Sequence, residues 1–94
     1  MGFDLEPQSA DCEWYHNNIM GWQNTYHRLE AAGADLTLWS WHNDGKLVPK
    51  ETAINWGTLL IVWLAKEDGK SDADMLHGME FADFCLKSGG FKIY

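Results

Sequence analysis

Ninety-four residues make a single globular domain, 1–94, and 46% hydrophobic content with six Trp excludes a disordered chain. Fourteen Asp and Glu stand against seven Lys and Arg, a formal charge of −7. Without a basic stripe to displace phosphate counterions, direct nucleic-acid binding is disfavoured, and such a charge serves solubility, a basic protein partner or imitation of nucleic acid. The opening MGFDLEPQ lacks a basic segment followed by an apolar one, and the longest apolar run, residues 59–65, is far short of the roughly 20 residues of a membrane helix. No membrane partner is expected. Cys12 and Cys85 form no CxxC or metal spacing and read as free thiols of a reducing compartment, so the expected localisation is cytoplasmic.

In chain order, Phe3, Asp4 and Leu5 alternate before Pro7 and read as an edge strand, followed by a turn over 8–11. Asn17 or Asn18 caps a first helix on which Ile19, Trp22, Tyr26 and Leu29 share one face, with Asn24 and Arg28 opposite and Gly33 as the stop. Residues 36–41 (LTLWSW) read as a strand, or as a continued helical segment. Asn43-Asp44-Gly45 is a turn signal, after which Lys46, Leu47 and Val48 pair back as a short return strand. Pro49 opens a second helix over 50–66. Ala53, Ile54, Gly57, Leu60, Ile61 and Leu64 form its stripe, and Trp56, Leu59, Val62 and Trp63 cover much of the rest, so it is expected to be central and buried on several sides. Gly57 there predicts a closely packed neighbour. Asp68-Gly69 turns the chain, and Ser71 caps a third helix with Asp72 and Asp74 in its first turn. Its inner face is read as Met75, Met79, Ala82 and Leu86. Gly89-Gly90 ends it, and residues 91–94 alternate as a last strand beside residues 3–5. The fold class is α+β: a three-helix core with a central apolar helix and a small antiparallel sheet or hairpin.

His16, His27, His42 and His77 share no ligand spacing, so no metal site is expected, and no cofactor motif is present. Cys85 lies in an apolar setting that raises a thiol pKa, and no nucleophile–base motif or P-loop occurs, so binding is expected over catalysis. Two segments concentrate flat rings beside amide and imidazole groups. One is Trp14, Tyr15, His16, Asn17 and Asn18 with Trp22; the other is Trp39, Trp41, His42, Asn43 and Asp44. Such a mixture suits a concave site for a small planar, nucleotide-like ligand or an aromatic anchor for a protein partner. The alternative is that the rings build the core while the Asn residues cap and turn the chain. Phe84 points away from the face read for the third helix. It is either covered by the C-terminal strand or marks an interface of a homo-oligomer.

MGFDLEP at the start, WYHNNIMGW, WHNDGKLVPKETA and FADFCLKSGGFKIY together resemble small uncharacterised proteins found in bacteria and their phages, over nearly the whole chain. The resemblance implies a shared fold and no transferable catalytic residue. By analogy of size and context it implies a phage-encoded inhibitor of bacterial defence that caps a host protein or sequesters a nucleotide signal. The alternatives are an acidic nucleic-acid mimic that blocks a basic groove, and a plain structural or oligomerising domain.

Overall fold

A computed structural model describes residues 2–66 and 70–94; the turn expected at Asp68-Gly69 lies outside them. Strand β1 (Gly2–Pro7) alternates, with Phe3 and Leu5 buried and Gly2 and Asp4 exposed. It is not an edge strand. It pairs antiparallel with β2 (Tyr15–Asn18) on one side and with the C-terminal strand on the other. Pro7 is tolerated because it stands at the strand's last position, opposite Phe91. Strand β2 has no extended apolar run to announce it; its four residues YHNN pair with Leu5 back to Gly2.

Asn18 ends β2 and caps α1 (Ile19–Ala31), its side chain accepting from the Gly21 backbone N–H. Trp22 and Leu29 are buried as the periodicity predicts, but Arg28 is buried too, against Asp74. Residues 36–41 form neither strand nor helix. The Asp35 carboxylate accepts from both the backbone N–H and the hydroxyl of Thr37, at 3.0 and 2.6 Å, and the Trp39 N–H reaches back to the Leu36 carbonyl. These local bonds turn the chain where the alternating pattern predicted a strand. Consequently β3 (Lys46–Val48) does not fold back on 36–41; it pairs with the last strand, β4 (Phe91–Ile93), giving the sheet order β2-β1-β4-β3.

Pro49 precedes α2 (Lys50–Ala65), and Ser71 caps α3 (Asp72–Lys87) in a capping box with Asp74. The helices cover one sheet face. Trp22, Trp56, Leu60 and Phe81 from the helices and Phe3, Leu5, Val48, Phe91 and Ile93 from the strands fill the space between the layers. Gly57 allows α2 to meet α3: a methyl there would stand 3.0 Å from the Ala82 carbonyl oxygen and 3.1 Å from Cys85 Cβ. Two helix faces differ from the expected ones. The buried face of α3 is Gly78, Phe81, Ala82 and Cys85 with Phe84, while Met75, Met79 and Leu86 are exposed. On α2, Ala53, Trp56, Gly57, Leu60 and Leu64 are buried, but Ile54 and Val62 stay exposed, so one flank of this helix is open.

Candidate functional site

The aromatic segments divide between interior and surface. Trp22 and Trp39 stack with ring centroids 3.8 Å apart, and Phe3 stacks on the other side of Trp22 at 5.3 Å. Trp22 Nε1 donates to the Ser40 carbonyl at 2.9 Å, and Trp56 Nε1 donates to that of Asp35. Trp22 is wholly enclosed and Trp39 nearly so, which makes both core residues and removes them from any ligand surface. Trp39 Nε1 is buried and has no acceptor among the described residues. Phe84 is also mostly interior, 6% exposed, against Tyr15 and Phe91 at 5.4 and 5.3 Å, so strand β4 covers most of it.

Trp14 is 47% exposed. Register explains its position. Phe3, Leu5, Phe91 and Ile93 point at the helices, so Asp4, Glu6, His16, Lys92 and Leu47 point away from them. The Asp4 and Tyr94 backbones exchange two hydrogen bonds of 2.8 Å, extending the ladder by one residue and turning the Tyr94 ring to the open face. Trp14 and Tyr94 meet there across β1, centroids 6.2 Å apart and planes 23° from parallel. Beside them His16 Nδ1 lies 2.7 Å from Asp4 Oδ1.

Next to Trp14 runs an open cleft of about 380 Å³ bordered by Asp11, Glu13, Glu80 and Asp83, with Tyr15 and Phe84 at its base. Lys87 neutralises Asp83 at 3.0 Å. The local field is negative. Burial, and then the Glu80 carboxylate, push the Tyr15 hydroxyl up to about 12. Burial, and then Asp83, raise the Cys12 thiol. A negative rim around an exposed indole is complementary to a cationic side chain, which gains both Coulomb attraction and a cation–π contact.

Tyr15, Asn17 and Asn18 also line a second cleft of about 270 Å³, together with Asn24, Thr25, Arg28 and His77. Arg28 is held by Asp74 at 2.8 Å. Its charge is therefore compensated, and the cleft is polar and nearly neutral. Asn17 Nδ2 is 3.4 Å from the Thr25 hydroxyl, a long contact that leaves the amide able to turn to a ligand.

The other predicted residues have mostly structural partners. Asn43 Nδ2 donates to the Gly2 carbonyl at 2.8 Å, and Asp44 Oδ1 accepts from the Lys46 N–H. The His42 N–H is bonded by the Ser40 hydroxyl, and its ring is exposed. Trp41, 45% exposed, leans on Tyr26 at 5.0 Å and Trp39 at 5.5 Å. The loop of 41–44 and the segment of 14–18 thus approach opposite sides of Gly2, Asn18 pairing with it in the sheet and Asn43 donating to its carbonyl.

Tyr94, Glu80, Asp83, Arg28 and His77 were not singled out as site residues by the sequence. The alternation of 91–94 places Tyr94 opposite in sense to Ile93, a signal present in the chain; the remainder needed the tertiary fold. Among the described residues no three His, Cys, Asp or Glu side chains are placed to hold a metal ion, and no helix is long and apolar enough to cross a membrane. Comparison of the chain with protein-family models, with curated proteins and with solved structures finds no match.

Proposed function

We propose that this chain is a small acidic binding protein that caps a basic surface of a protein partner through its open sheet face. The observation that carries this reading is half-exposed Trp14, which stacks on Tyr94 at the open face and also borders the adjoining cleft lined by Asp11, Glu13 and Glu80. Two rings stranded on the solvent side of a sheet give up hydrophobic burial that the core would supply, which is reasonable where a partner completes it. Trp and Tyr are also the residues most enriched at interface centres. By analogy of size and context with small proteins of bacteria and their phages, the partner is a host protein of bacterial defence and the outcome is inhibition. Exposed carboxylates lie on the sheet (Asp4), on α1 (Glu30), on α2 (Glu51) and on α3 (Glu80), a dispersion that favours local capping over mimicry of a regularly charged nucleic acid.

The test is capture of a partner from the host by tagged protein, repeated with variants. Trp14→Ala should abolish capture and leave the unfolding midpoint nearly unchanged, while Trp41→Ala should leave capture intact. Capture should also weaken as salt rises from about 0.1 to 0.5 M, because the acidic rim is solvent-exposed. Capture indifferent to both Trp14→Ala and salt would overturn the reading. A second reading rests on the polar cleft of Asn17, Asn18, Asn24 and Arg28, which suits the edge of a small planar ligand. It predicts saturable protection of the Asn17 and Asn24 amides by added nucleotides in NMR, unaffected by Trp14→Ala.

A further inference from the structure

We propose that the chain pairs with a second copy of itself through the outer side of the α2–α3 hairpin, with a two-fold axis at Thr58. This goes beyond the capping function, and it uses the side of the molecule remote from the open sheet face. Helices α2 and α3 run antiparallel: Gly57 lies against Ala82 and Cys85, and Leu64 lies against Gly78. At 100° per residue, the flank that these contacts leave to solvent carries Ile54, Thr58 and Val62 on α2, beside Met75, Met79 and Leu86 on α3. The five hydrophobic members are each 38–53% exposed. They sit side by side on two adjoining helices, and an apolar flank of this kind on a small protein is often a functional surface.

Two features favour a second copy as the occupant. First, the exposed face of α2 complements itself when reversed. A two-fold axis through Thr58 sets Ile54 of one copy on Val62 of the other, and brings Glu51 at the start of α2 opposite Lys66 at its end. A closed isologous contact needs that kind of self-complementarity. Thr58, the small residue at the centre, lets the two α2 helices approach closely, and Met79 and Leu86 flank the crossing, so two α2–α3 hairpins form a four-helix arrangement. Second, the patch itself bears no charge, and its charged rim balances across the axis, whereas the rest of each copy carries the −7 excess. The pairing would present two capping faces per dimer, doubling the attachment to a repetitive or dimeric partner.

Sedimentation equilibrium of the full chain from about 1 to 200 μM decides this, since the span brackets micromolar self-association. The wild type should show a monomer–dimer equilibrium. Val62→Glu and Met79→Glu should raise its dissociation constant at least tenfold while leaving the far-UV circular dichroism unchanged. Glu51→Lys and Lys66→Glu should each weaken the dimer severalfold, and the two together should restore it to within twofold of wild type. A wild type that stays monomeric throughout would overturn the proposal and leave the face to another protein. A dimer indifferent to Val62→Glu and Met79→Glu would overturn it by placing the contact elsewhere. A double charge reversal that restores nothing would overturn the two-fold axis at Thr58.

Discussion

Arg28 keeps its side chain only 10% exposed, with Nε 2.8 Å from an Asp74 oxygen. Removing one partner of a fully buried pair costs about 3–5 kcal/mol because the other ion is left uncompensated. Asp74 retains 30% exposure, so water screens part of that penalty and Asp74→Asn should cost about 2 kcal/mol. The Arg28 hydrogen bond is the main cause holding the Asp74 carboxyl below its ordinary 3.8. A carboxyl depressed in the folded state contributes stability that is complete above the unfolded value and fades as pH falls through the lower folded one. Urea midpoints of wild type and Asp74→Asn should therefore stay apart by a constant amount at neutral pH and converge as the pH drops below 3.8. The two stacked tryptophans allow a second comparison. Trp22→Phe deletes a bonded N–H and strands the Ser40 carbonyl, whereas Trp39→Phe deletes an N–H that has no acceptor among the described residues. Since an unsatisfied buried donor costs about 1–3 kcal/mol, Trp22→Phe should destabilise by at least about 1 kcal/mol more than Trp39→Phe in guanidinium unfolding.

At the level of elements, the helix seam rests on two glycines with different neighbours. Alanine at Gly57 would press on the Ala82 carbonyl, a backbone atom fixed in α3; alanine at Gly78 would meet first the two Cδ atoms of Leu64, the ends of a side chain, at 2.9 and 3.1 Å. Both substitutions gain about 1 kcal/mol of helix propensity. Overpacking against backbone costs about 1–3 kcal/mol, so Gly57→Ala should be net destabilising and Gly78→Ala close to neutral, as thermal unfolding would show. Gly78 also explains why the face of α3 is misread from sequence. The stripe Met75, Met79, Ala82 and Leu86 is apolar at every position, whereas the stripe the helix buries, Gly78, Phe81, Ala82 and Cys85, is interrupted at Gly78. Caps were legible because their chemistry is local: Asn18 and Ser71 each accept from an N–H three residues on. Segment 36–41 was misread because a carboxylate–hydroxyl bond between Asp35 and Thr37 overrides a period-two pattern. Strand β2 was missed because YHNN has no alternation of hydrophobicity, and only the partner strand β1 defines it.

Over the whole molecule, a sheet with joined termini was half legible: residues 3–5 and 91–94 do pair, but register decides what they display. Trp14 and Tyr94 lie at opposite ends of the chain and meet only because β1 places them on one side of the sheet, so no window of sequence could join them into a site. Trp22 and Trp39 are indistinguishable in composition from Trp14 and Trp41, and only the closing of the core separates them. The two thiols can report on that closing. Cys12 is half-buried beside the acidic cleft, whereas Cys85 is wholly enclosed between α2 and α3, and burial raises its pKa well above 9.0. Reaction of Cys85 needs the α2–α3 seam to open, and Cys85 belongs to the same core cluster as Trp56, Leu60 and Leu64, so local fraying will not expose it. With excess dithionitrobenzoate at pH 8, Cys12 should react in the native protein, slowed by its raised pKa but without denaturant. Cys85 should react at least about a thousandfold more slowly than in the unfolded chain, the ratio given by a global unfolding equilibrium. Gly57→Ala should speed Cys85 labelling in proportion to its loss of stability and leave Cys12 unchanged. Equal rates for the two thiols in the native protein would mean that the helical layer opens apart from the sheet, and that the fold is held by two cores instead of one.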